Sequence, residues 1–170
     1  MLRLVVVLPL EQLASGDGFP LREWPLHVTA APTFVVRVEL SHVVAAIEPV
    51  LANQAGLSAV TGDPEGFGPS QTIPVTVVVP NAELTHLHVR LVDALREVDA
   101  LFDDPQYIGS GYRAHVTATR LAVAAPGQRL WMNQAAIVDM QPLGERRLRR
   151  VVWATPLGRW GSAGSAAGGC

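Results

Sequence analysis

His27-Val28-Thr29-Ala30 and His115-Val116-Thr117-Ala118 are one tetrapeptide occurring twice in the same chain. Each copy sits in a stretch that reads as a strand, Trp24 to Ala31 for the first and Tyr112 to Val123 for the second. Successive side chains of a strand alternate between its faces, so a His and the Thr two residues later project together, about 6 to 7 Å apart. A single His-x-Thr carries no information. Two identical copies, each in its own half of the chain, point to neighbouring pseudo-symmetric strands, with two imidazoles facing across a pocket and two hydroxyls between them.

The elements around the copies support this. Leu2 to Leu8 is an apolar, β-branched run, followed by a loop from Glu11 to Glu23. Pro32 is expected to close the strand of the first motif. Ser41 to Asn53 has helical spacing in Val43, Ile47, Val50 and Leu51, with Ser41 as N-cap, Gly56 as stop and a kink at Pro49. Leu57 to Thr61 and Ile73 to Val79 read as strands joined across Gly62 to Gly68. The clearest helix follows. Asn81 caps a stripe of Leu84, Leu87, Leu91, Leu95, Val98 and Leu101 or Phe102, ended by Asp103-Asp104-Pro105. Gly127 to Met132 reads as a short helical turn, and Ala135 to Met140 and Leu148 to Ala154 as strands. The order is α+β and nearly repeats itself. Residues 1–160 are expected to form one bilobal unit and 161–170 a flexible Gly/Ser/Ala tail.

Composition narrows the function classes. The chain is 49% hydrophobic and 16% charged, which places it among folded globular proteins. A net charge of -2 argues against a partner such as long duplex nucleic acid, whose binding rests on many cationic contacts. Cys170 is the one cysteine, so an intrachain disulfide is excluded and a cytoplasmic location is the default. Leu4 to Leu10 reads as a buried strand in preference to a signal peptide, and no stretch is long and apolar enough for a membrane helix. A soluble monomer is expected.

The paired motifs fit phosphodiester cleavage. A neutral imidazole takes a proton from the attacking hydroxyl while an imidazolium gives one to the leaving oxygen, and an ordinary pKa near 6.5 lets both forms coexist. Thr29 and Thr117 would donate to non-bridging phosphoryl oxygens. Neither a cofactor nor a metal is needed, and a metal reading lacks a third ligand at a recognisable spacing. Arg113 shares the face of His115 and is a candidate for holding phosphate; Trp24 and Tyr112, flanking the motifs, are candidates for stacking on a base. Thr119 continues the strand face as a filler. His86 and His88 read as structural histidines on a helix and His42 as a surface residue. Arg146, Arg147, Arg149 and Arg150 read as a solvated basic patch.

On His27-Val28-Thr29 and His115-Val116-Thr117, the chain resembles the two-histidine (2H) phosphoesterases, the superfamily that includes RNA 2',3'-cyclic phosphodiesterases historically called 2'-5' RNA ligases. The order of elements agrees from Leu2 to about Leu157. The resemblance implies a bilobal α+β fold, two antiparallel sheets lining a cleft with helices outside, one motif from each lobe, and no metal. It also implies a nucleotide or short RNA-type phosphodiester as substrate, a 2',3'-cyclic phosphate first among them. A cyclic di- or oligonucleotide is the alternative substrate, and a nucleotide-binding module without turnover is the alternative class. Where many relatives place bulkier residues, this chain has Ala30-Ala31-Pro32-Thr33-Phe34, with Phe34 in position to supply the aromatic.

Overall fold

A computed structural model describes residues 1–158, so the tail expected over 161–170 lies outside the described residues. Ten strands and two α-helices follow the chain as β1 (Leu2–Pro9), β2 (Gly18–Pro20), β3 (His27–Val36), α1 (Leu40–Ala52), β4 (Leu57–Phe67), β5 (Ile73–Val78), α2 (Ala82–Arg96), β6 (Leu101–Phe102), β7 (His115–Thr117), β8 (Arg129–Met132), β9 (Gln134–Asp139) and β10 (Leu148–Pro156). The strands form one antiparallel sheet in the order β2-β10-β9-β1-β3-β7-β5-β4-β8, with β6 added beside β3. The two expected sheets are therefore halves of a continuous one. Their junction is β3 against β7, where Val28 pairs with Val116.

Strand alternation sorts the core. From β1, Leu4, Val6 and Leu8 face a large cluster with Val43, Ile47 and Leu51 of α1, Leu84, Leu87, Leu91 and Leu95 of α2, and Leu57, Val78, Leu130 and Met132 of the other half. Val5 and Val7 face the opposite way, into a smaller cluster with Leu13, Ala136, Val138 and Val151 under Phe19 and Trp24. The first half-sheet is thus buried on both faces. No helix among the described residues is long and apolar enough to cross a membrane.

Several local expectations fail for identifiable reasons. Glu39, not Ser41, is the N-cap residue of α1, which ends at Ala52 before Gly56 and runs unbroken through Pro49. Pro49 lies on the exposed face, where water can satisfy the carbonyl its ring leaves without a partner. The helix of Asn81 is confirmed, with the Asn81 side chain accepting from the Leu84 amide, but it stops at Arg96. Asp99 then turns through positive φ and releases Leu101 and Phe102 to pair with β3. β3 starts at His27 and continues past Pro32, which falls in a break of the β1 register where its missing N–H costs no ladder bond. Likewise β4 passes through Pro64 at a register shift, and the reversal occurs later, at Gly68 and Gln71. Gly18 to Pro20, read as loop, pairs with β10. Arg129 to Met132 is an edge strand on β4 instead of a helical turn; Leu130 and Met132 are buried while Arg129 and Trp131 are exposed. Finally, β7 is cut short at Thr117. The Thr119 hydroxyl accepts from the amides of Leu121 and Ala122, so it caps a turn instead of continuing the strand.

Candidate active site

The Val28–Val116 pair is the local centre of the two motifs. Both valines are buried toward the helices. Continuing the antiparallel register by one residue each way sets His27 against Thr117 and Thr29 against His115. All four project from the face opposite the valines, and the two histidines occupy one diagonal, roughly 7 to 8 Å at the backbone. The hydroxyls occupy the other.

The two rings are held alike. His27 Nδ1 meets the carbonyl of Pro25 at 2.8 Å, and His115 Nδ1 meets that of Arg113 at 2.7 Å. A carbonyl only accepts, so each Nδ1 carries the hydrogen and each Nε2 is left with its lone pair for chemistry. Each ring also leans on an aromatic neighbour. Trp24 lies 3.9 Å from His27 between centroids, and Phe67 lies 4.6 Å from His115.

Burial makes the rings reluctant to hold a second proton. His27 is 8% exposed. Its pKa falls to about 4, chiefly through loss of hydration; the Pro25 carbonyl partly offsets this and the charge of a protonated His115 adds to it. His115, half-buried, is also lowered, by burial first and by the nearby Arg113 charge, against the pull of the Arg113 carbonyl.

Sequence-derived binding candidates divide. Trp24 stands on the site face, at the wall of His27. Arg113 reaches the rim beside His115, but its guanidinium is gripped by Glu65 through bonds of 3.0 and 2.9 Å and lies over the Phe67 ring. That pair is solvent-exposed and screened by water, so it holds the arginine only weakly. Tyr112 is corrected: it sits on the helix side of the sheet, its ring stacked on His88 and its hydroxyl donating to the Thr29 carbonyl at 2.8 Å. It backs the motif from behind. His88 is buried, as a structural histidine should be, and His86 and His42 are exposed. The basic patch is broken up, because Arg149 is buried and donates to the carbonyls of Met140, Arg146 and Leu148. Among the described residues no three His, Cys, Asp or Glu side chains gather into a metal-holding group.

Residues 6–138 match the family model of the 2'-5' RNA ligase superfamily. The chain belongs to that superfamily. The fold comparison agrees. A crystal structure titled only as a phosphoesterase is 15% identical and superposes with a TM-score of 0.62, over 93% of this chain and 99% of that one. E. coli LigT complexed with NADP+ is 15% identical, with a TM-score of 0.60 over 93% of this chain and 98% of its own. E. coli LigT complexed with 3'-AMP is 17% identical, with a TM-score of 0.60 over 92% and 98%. At these identities the likeness establishes the fold, an α+β sheet of the 2H phosphoesterase type. No curated protein matches the sequence.

For this member of the superfamily, sequence reasoning missed Phe67 and Glu65. Both come from the arm of β4 that crosses Pro64, where Gly and Pro hide the strand alternation. No local signal in the sequence marks them.

Proposed function

We propose that the protein is a phosphodiesterase that hydrolyses a 2',3'-cyclic phosphate or a short RNA-type phosphodiester by acid–base catalysis without a metal. The observation that carries this reading is the pseudo-two-fold arrangement about Val28 and Val116, which sets two Nδ1-protonated imidazoles on one diagonal and two threonine hydroxyls on the other. Water attacks phosphorus as one Nε2 accepts its proton. The bond to a ribose oxygen breaks, and the other Nε2, protonated on substrate binding, supplies the hydrogen that oxygen needs. Thr29 and Thr117 donate to the non-bridging oxygens as their charge grows. Both imidazoles are kept neutral in the empty site, so the anionic phosphate itself draws the second proton onto one of them. Trp24 and Phe67 form the two walls for flanking groups, and Arg113, leaving Glu65, meets a flanking phosphate. That relatives were crystallised with 3'-AMP and with NADP+ supports a nucleotide-sized ligand.

The test is turnover of 2',3'-cyclic nucleotides, short 2'-5' oligonucleotides and cyclic dinucleotides in excess EDTA. His115→Ala and His27→Ala are each expected to lower turnover by about 10² to 10⁴ while the protein stays folded. Loss of turnover in EDTA overturns the metal-free mechanism, and undiminished turnover in both variants overturns the site. Cleavage confined to cyclic dinucleotides replaces the substrate and keeps the chemistry.

A further inference from the structure

β3 does not run evenly along β1. Val6 pairs with Ala31 and Val7 with Thr29, which leaves Ala30 as an extra residue. A bulge of this kind takes one residue out of the ladder and re-aims its neighbours. Here it falls directly behind the first motif, so whatever holds the bulge also holds the direction of Thr29.

His88 holds it. This fully buried residue of α2 places Nδ1 at 2.8 Å from the Ala30 carbonyl, while its Nε2 receives the Gly109 amide at 3.0 Å. A backbone amide only donates and a carbonyl only accepts, so a single neutral tautomer satisfies both partners. Tyr112 lies flat on the same ring, at 3.9 Å and 6°, and its hydroxyl takes the Thr29 carbonyl. Two consecutive carbonyls of the first motif are therefore gripped by a helix histidine and by a tyrosine of the loop that leads into the second motif. Gly109, midway along that loop, is tied to the same ring.

The β3–β7 junction has one register pair, Val28 with Val116. One pair fixes a contact but leaves the angle between strands loose. We propose that His88, with Tyr112 stacked on it, is a positioning pin that sets the first His-x-Thr motif relative to the second and so controls turnover without touching substrate. This rests on the acid–base reading above. The pin lies on the helix side of the sheet, opposite the four reacting groups, and its effect on them travels through backbone alone.

The experiment compares wild type with Tyr112→Phe, His88→Leu and His88→Asn. It records kcat and KM on the substrate wild type cleaves, thermal unfolding, and the NMR ring signals of His27 and His115. Misplacing a reacting group by about 1 Å costs on the order of 10²-fold. His88→Leu should lower kcat by about that factor with KM nearly unchanged. Tyr112→Phe, which keeps the stack and loses only the hydroxyl, should lower it about tenfold. His88→Asn, whose amide can still donate to Ala30, should recover several-fold over His88→Leu. The ring signals of both motif histidines should move in each variant. Folded variants with wild-type kcat and unmoved signals overturn the pin. If His88→Leu does not fold, Tyr112→Phe decides. If wild type turns over no substrate, the acid–base reading fails, while the NMR comparison still tests the pin.

Discussion

At the scale of single residues the site is defined by what burial does to two imidazoles. His27 and His115 both hold a second proton less readily than free histidine, His27 only below about pH 4. Acid–base cleavage needs one neutral ring and one charged ring, and the two titrate as a pair. With both rings lowered, the empty site near neutrality favours the neutral form of each, and on the proposed mechanism is short of its acid. On the proposed mechanism the charged partner appears only on the acid side of the ordinary histidine range, and below about 4 His27 is charged too and the base is lost. The profile of kcat/KM should therefore be a bell centred on the acid side of 6.5, falling about tenfold per pH unit on its alkaline limb. An optimum above pH 7.5, measured with a buffer series at constant ionic strength, would contradict the assignment of free-site burial to these rings. The motif residues were legible in the sequence because the His-x-Thr repeat needs nothing but strand alternation to place its groups. Phe67 and Tyr112 were not. What Phe67 does depends on a register across Pro64, and what Tyr112 does depends on its stack with a helix distant in sequence.

At the scale of elements, proline separates what local pattern predicts from what the fold tolerates. Pro32 suggested a strand end, Pro49 a kink, and Pro64 fell in the turn expected across Gly62 to Gly68, yet each lies inside a continuous element. Two sit at register breaks in strands, where no ladder bond is expected from them. Pro49 is different, since α1 gains nothing visible from it: Val43, Ile47 and Leu51 carry the packing and Pro49 faces outward. An interior proline costs a helix about 3 kcal/mol relative to alanine, offset by up to about 1 kcal/mol of restricted unfolded chain. Pro49→Ala should therefore raise stability by about 2 to 3 kcal/mol in urea unfolding, with activity unchanged. A destabilised variant would mean that Pro49 itself contributes to the seating of α1. The helix of Asn81 shows the opposite case, where sequence sufficed. A side-chain cap and four leucines at helical spacing specify both its start and its buried face, and the structure has both.

At the scale of the whole molecule the question is whether the pseudo-symmetric halves are two units or one. The sheet suggests two, because β3 and β7 share a single register pair. The core suggests one. Leu4, Val6 and Leu8 of the first half, Leu57, Val78, Leu130 and Met132 of the second, and the buried faces of both helices belong to one cluster. Each of these fully buried side chains contributes roughly 1.5 to 3 kcal/mol by leaving water. Removing either half would strip apolar partners from the other and from both helices, a loss that neither half-sheet could absorb. We therefore expect one cooperative unit, in line with the single bilobal reading of the sequence. Unfolding should follow one transition whether observed by far-UV circular dichroism or by the fluorescence of Trp24 and Trp153 on one side and Trp131 on the other. Single-tryptophan variants would separate those signals. Coincident midpoints would identify the common core as the element that holds the two motifs in one site. An earlier transition at Trp131, with Trp24 still native, would show that the second half melts alone, and that the site depends on the β3–β7 junction for its assembly.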